Sequence, residues 1–304
     1  MMNLLEIKRD LNKSALALLL YVLSVQILAV LLVLLLPLTK IPLLSDQYIC
    51  MVISVIISYC LLDNIFPKET VTEPGPEKPS FSVLSFLHYF MLFQAAQWIG
   101  GIINIPIITL FTKLGLNLSF SEEAARGGSL TNAPMLFYTI LVAPLMEELV
   151  FRGIFYRRFR SYGKYFAAFY TAFFFALMHS NFLQFAPAFS MGMILFFIRD
   201  RHGLPYSILL HFSNNLLAIV VNNLSQDSTL IQGIYGGFLL AGMFYGIYFV
   251  LKNRTHFAED SQYEKEHSLS LKQFFSSPLL WVDIVLMVAL ACVSLFVPMD
   301  AGAM

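Results

Sequence analysis

Long apolar runs separated by short polar ones dominate the chain. A helix needs about 20 mostly apolar residues to cross a bilayer. Nine runs come near that length: 15–38, 47–66, 83–111, 133–157, 164–181, 183–199, 204–224, 230–251 and 278–298. They predict an all-α, polytopic transmembrane bundle of about 8–9 membrane helices. The run 15–38 exceeds the roughly 7–15 apolar residues of a signal-peptide h-region, and no small-residue cleavage site follows it, so it reads as a retained first span. The run 83–111 holds Gly100, Gly101 and Pro106, which suit a kinked span or an interfacial helix leading into one.

Polar stretches divide these runs. Lys68–Ser80 is rich in Pro and Glu and reads as a cytoplasmic loop; Lys252–Lys272 is charged and reads as a linker before the last helix. With a cytoplasmic N-terminus and alternating spans, 15 of the 19 Lys and Arg fall on the inner side. Lys40, Lys113 and Arg126 fall outside, and Arg152 lies within a span. That asymmetry follows the positive-inside rule and predicts a multi-pass cell-membrane protein with its N-terminus inside and its C-terminus outside. Thr112–Asn132 would then lie outside. Arg157, Arg158 and Arg160 read as topology determinants meeting lipid phosphate.

Composition agrees. Of 304 residues, 58% are hydrophobic and 12% charged, and mean hydropathy is +0.72. A soluble domain carries about 25% charged residues. This balance excludes a soluble enzyme, a disordered chain and a disulfide-stapled secreted domain. Net charge is zero and no basic stripe occurs, so nucleic acid is not an expected partner. Cys50, Cys60 and Cys292 all lie in apolar runs and read as packing residues. Cys50 and Cys60 would be about 15 Å apart on one helix, too far for a bridge.

Against that background, ionisable groups inside the spans stand out, since each costs at least about 2.5–3.5 kcal/mol at the bilayer centre. Glu147-Glu148-Leu149-Val150-Phe151-Arg152 follows an apolar stretch. Glu148 and Arg152, four apart, share a helix face and can pair. Glu147 points elsewhere and lacks an evident local partner, which suits a general base or acid. Phe175 and His179 share a face on a second run, and His211 and Asn215 on a third. Counted from the inner boundary residues Arg160, Lys164 and Arg201, the residues Glu147, His179 and His211 lie about 20, 22 and 15 Å deep. They can meet near mid-membrane. Each alone is commonly interhelical hydrogen-bonding glue; the set at matched depth points to catalysis or ion handling. Asn104, Asn181, Gln184, Asn222 and Asn223 say little individually. His88, His202, His256 and His267 read as interfacial or solvated.

No HExxH, GxSxG or paired-Asp motif occurs in the spans. Water chemistry remains: Glu147 with His179 to activate water, His211 with Asn215 to face a developing oxyanion. A divalent metal such as zinc on Glu147, His179 and His211 is the competing arrangement.

EExxxR at Glu147–Arg152, FxxxH at Phe175–His179 and HxxxN at His211–Asn215 together resemble the three motifs of the CAAX protease and bacteriocin-processing (CPBP, or Abi) family of intramembrane peptidases. The resemblance covers about residues 133–223. It implies that Glu147 is the base activating water with His179 assisting, that His211 and Asn215 form the oxyanion site, and that Glu148 and Arg152 support the first motif. It implies a membrane-associated or lipidated protein or peptide as substrate: prenylated CAAX proteins in eukaryotic members, and bacteriocin maturation, self-immunity or peptide-signal processing in many bacterial ones. Such members have been described both as metalloproteases and as metal-independent glutamate proteases. HxxxN offers a hydrogen-bond donor where a metal would want a ligand, so no cofactor is favoured. The chain then divides into N-terminal membrane helices (1–132), catalytic-core helices (133–224) and C-terminal helices with the charged linker (225–304). Two other readings stay open: a non-catalytic immunity or regulatory partner in the membrane, and a transporter using the same groups as a proton relay, although no internal repeat supports the latter.

Overall fold

The structure is a computed structural model, and it describes residues 4–66, 79–126, 130–267, 269 and 271–296. The described residues form twelve helices and no strand. They are α1 (Leu4–Leu35), α2 (Gln47–Ile65), α3 (Val83–Lys113), α4 (Ser119–Arg126), α5 (Ala133–Tyr162), α6 (Lys164–Met178), α7 (Phe182–Arg201), α8 (Leu204–Ser225), α9 (Thr229–Lys252), α10 (Arg254–His267), α11 (Leu271–Phe274) and α12 (Pro278–Ser294). Seven are long and apolar enough to cross a membrane: α1, α2, α3, α5, α7, α8 and α9. The nine expected runs are thus all helical, but α6 and α12 are apolar helices of shorter length. The expected loop Lys68–Ser80 lies outside the described residues up to 78.

Local chemistry sets the helix boundaries. Asp46 accepts hydrogen bonds from the backbone N–H groups of Tyr48 and Ile49 and starts α2. Ser82 and Ser85 form a reciprocal box at the start of α3. The side chains of Asn132, Asn181, Ser228 and Ser277 each accept from a backbone N–H at the start of α5, α7, α9 and α12. α3 is one unbroken helix through Pro106. Gly100 serves packing: a Cβ there would stand 2.6 Å from the Pro187 backbone nitrogen, so its absence lets α3 and α7 touch.

α3 packs on α7 and α9, α6 on α7, and α1 on α2. Phe155, Phe159, Tyr170 and Phe274 form an aromatic cluster where α5, α6 and α11 meet, with Phe159 and Tyr170 ring centroids 3.9 Å apart.

Ion pairs gather the basic segments at one end of the bundle. Arg158 pairs with Asp10 of α1, Arg160 Nε lies 2.5 Å from Asp200 Oδ1, and Lys164 Nζ lies 2.8 Å from Asp260 Oδ2. Arg158 and Arg160 therefore face carboxylates. Arg199 is buried, donates from Nε to Arg152 O at 3.0 Å and stacks on Tyr156. Two of the histidines expected to be interfacial or solvated have partners within the bundle. His202 is buried between the Tyr89 hydroxyl and Pro79 O, and His88 Nδ1 meets the Tyr245 hydroxyl at 2.6 Å.

Candidate active site

α5 carries the two glutamates, and its geometry is unusual around them. Wider π-type turns run over Phe137–Val142 and Leu149–Phe155, with ordinary α-helix over Ala143–Glu148 between them. Such turns recur at functional sites because they re-aim side chains without ending the helix. Here Glu147 and Glu148 meet the two ring nitrogens of one histidine, His211. Glu147 Oε2 lies 3.6 Å from His211 Nε2. Glu148 Oε1 lies 3.1 Å from His211 Nδ1 and 3.1 Å from Arg152 Nη1. The expected Glu148–Arg152 pair is present, and both side chains are fully buried. The expectation that Glu147 lacks a partner holds only along its own helix; across the bundle it meets His211.

Arg152 anchors more than Glu148. Its Nη2 donates to Gly192 O at 2.9 Å, and its guanidinium lies 4.5 Å from the centroid of the Phe175 ring. Gly192 makes this possible, because a Cβ there would come within 3.1 Å of Arg152 Nη2 and of Ala172. The Phe175 ring in turn meets the rings of His179 and His211 edge-on, with centroids 5.0 and 5.6 Å away. Phe175 thus spaces the two histidines, while Arg152 fixes its face.

His179 follows the last residue of α6. Fifteen residues rise about 22 Å, short of the roughly 30 Å hydrocarbon core, and the turn from α6 to α7 holds His179 half-buried. Ser180 adopts φ +47° in that turn. His179 Nδ1 lies 2.8 Å from Phe175 O. A carbonyl can only accept, so Nδ1 carries the proton and a neutral His179 keeps its Nε2 lone pair free. α4 covers the turn: Asn181 Nδ2 donates to Ser121 O and Gln184 Nε2 to Ala124 O. Asn222 Nδ2 adds a bond to Arg126 O. Asn181, Gln184 and Asn222, uninformative in the sequence, hold this cover in place.

Glu147, His179, His211 and Asn215 all line one cavity of about 390 Å³. Asn215 Nδ2 donates to Thr139 O at 3.1 Å, tying α8 to α5 and leaving one amide N–H uncommitted. Three lining residues gave no sequence signal: Tyr138, Gln97 and Asn214. Gln97 Nε2 donates to Asn214 Oδ1 at 3.3 Å, bringing α3 to the cavity. Only the periodicity of α3, which places Gln94 and Gln97 among apolar neighbours, could have drawn attention to it.

Among the described residues, no group of three or more His, Cys, Asp or Glu side chains is arranged to hold a metal ion. Asp283, unremarked in the sequence, is a further carboxylate in an apolar helix. It is fully buried in α12, with neither oxygen hydrogen-bonded among the described residues.

No curated protein and no solved structure matches the chain. Residues 129–217, the segment that carries Glu147, Glu148, Arg152, His179, His211 and Asn215, match the family model of the type II CAAX prenyl endopeptidases, Rce1-like, and so bear out the CAAX-protease resemblance of the three motifs.

Proposed function

We propose that the protein is an intramembrane endopeptidase that hydrolyses a peptide bond of a membrane-associated or lipidated protein or peptide without a metal. One observation carries this reading: Glu147, His179, His211 and Asn215 face one cavity inside a membrane bundle. The family match of the surrounding segment supports the reaction class.

In this mechanism a water between Glu147 and the free Nε2 of His179 loses its proton to the Glu147 carboxylate. The resulting hydroxide adds to the substrate carbonyl. The tetrahedral oxyanion is faced by Nε2–H of protonated His211 and by the free N–H of Asn215. Glu148, held by Arg152, accepts from His211 Nδ1–H and so turns Nε2 toward the cavity. Glu147 then returns the proton to the leaving amine as the C–N bond breaks. General-base catalysis of this kind contributes roughly 10²–10⁴-fold, and an oxyanion donor roughly 10²–10³-fold.

Purified protein in liposomes, given an S-farnesylated CAAX peptide, tests the activity directly. Proteomic comparison of cells carrying the wild type or Glu147→Ala tests it without assuming a substrate. Glu147→Ala, His179→Ala and His211→Ala should each abolish cleavage while expression and folding persist. Cleavage by Glu147→Ala at the wild-type rate would overturn the reading, and cellular function retained by all three variants would favour a non-catalytic partner.

A further inference from the structure

A second cavity, of about 170 Å³, reaches the same catalytic groups from the other side. It is lined by Tyr21, Val25 and Gln26 of α1, Met51 and Val55 of α2, and Tyr138 of α5, and it ends on Glu147 and His179. Tyr138, Ala143, Glu147 and His179 form the wall that it shares with the larger cavity. The partition of the chemistry is unequal. The larger cavity touches Glu147, His179, His211 and Asn215. The smaller one touches Glu147 and His179 but neither His211 nor Asn215.

We propose that the small cavity between α1, α2 and α5 stores and delivers the hydrolytic water, while the large cavity holds the substrate; this rests on the peptidase reading above. Addition to a carbonyl needs the nucleophile at the carbon and the donors at the oxygen. A chamber that meets only the water-activating pair supplies the first without obstructing the second.

Size and lining fit water. Roughly 10–15 Å³ of such volume admits one water, and each buried water needs two to four polar partners. The small cavity holds a cluster of waters, with the Tyr21 and Tyr138 hydroxyls, the Gln26 amide, Glu147 and His179 as partners. It is less than half the size of its neighbour, too confined for an extended peptide.

Its course also fits. Measured from the helix starts at Gln47 and Ala133, Met51 lies about 6 Å in, Tyr138 about 8 Å and Glu147 about 21 Å. The lining therefore climbs from Glu147 toward the end of the bundle where α2 and α5 begin. α1 and α2 lie outside the matched segment, and this chamber gives them a part in the reaction.

The test combines access and turnover. Gln26→Cys is placed in a chain whose Cys50, Cys60 and Cys292 are replaced by Ala, in liposomes. A charged, water-soluble methanethiosulfonate reagent should modify the introduced thiol, and Met51→Trp should slow that modification at least tenfold. With Glu147→Gln added and the farnesylated peptide in excess, modification should continue at an unchanged rate. In the active chain Met51→Trp should lower kcat at least tenfold with KM within twofold, whereas Ala218→Trp in the large cavity should raise KM. No modification of Gln26→Cys, or its protection by bound peptide, overturns the proposal. So does wild-type kcat in Met51→Trp with thiol access blocked. If the peptide is not cleaved by the wild type, the peptidase reading with that substrate fails, while the thiol reaction and its block by Met51→Trp still decide whether the chamber is water-connected.

Discussion

His211 turns Nδ1 to Glu148 Oε1 at 3.1 Å, and the same oxygen receives Arg152 Nη1 at 3.1 Å. One buried carboxylate oxygen thus orients the His211 ring and neutralises a buried guanidinium. The two demands separate by mutation. Glu148→Ala should lower stability by about 3–5 kcal/mol, because it strands Arg152 in a fully buried site. Glu148→Gln keeps the shape and a hydrogen-bond acceptor. It should fold better than Glu148→Ala yet lose turnover at least tenfold, since the charged acceptor that orients the His211 ring is gone. Thermal unfolding in detergent and peptide cleavage, measured on both variants, check this.

Gly192 should be equally sensitive although it lies on α7 and is not among the residues lining the large cavity. Gly192→Val puts a side chain where Arg152 Nη2 stands. Displacing Arg152 moves Glu148 and Phe175, and through them both histidines. Misplacing catalytic groups by about 1 Å can cost roughly 10²-fold. The expected result is that kcat falls by about that factor with a smaller change in KM.

Cleavage should survive dialysis against EDTA or 1,10-phenanthroline and should not rise on adding zinc. Elemental analysis of the purified protein alongside the chelation series checks this. Loss of turnover restored by stoichiometric zinc would replace the free-water scheme with a metal site.

Asp283 is buried with no hydrogen bond to either oxygen among the described residues. A buried unsatisfied polar group costs about 1–3 kcal/mol. Asp283→Leu should therefore raise the melting temperature while leaving peptide cleavage unchanged. A lower melting temperature would show that the carboxyl meets a partner in the membrane.

At the bundle end, the Lys164 ammonium and the Tyr165 hydroxyl hold the Asp260 carboxyl below its ordinary value of 3.8. A depressed value means that the contact contributes above the ordinary value and is lost as pH falls through the depressed one. α10 should stay docked down to about pH 4 and detach below it. Protection of the 254–267 segment from an acid-active protease, followed from pH 5 to 2 against Asp260→Asn, reads this directly.

The sequence by itself determined the helices and most of the site's membership. Apolar runs of spanning length leave the backbone in hydrocarbon no alternative to internal hydrogen bonding, so helix was forced. Charges among apolar residues exposed Glu147, Glu148, Arg152, His179, His211 and Asn215, and four-residue spacing was enough to pair Glu148 with Arg152. Tertiary structure decided what spacing cannot express. It brought Glu147 to His211 across helices, ended α6 early so that a turn holds His179, and turned Arg158 and Arg160 onto carboxylates. It drew Gln97, Tyr138 and Tyr21 to the cavities and hid His202 and Asp283. Each of these depends on which helix faces which, and between apolar helices that is settled by close packing at residues such as Gly100 and Gly192, whose consequence lies in the partner they admit.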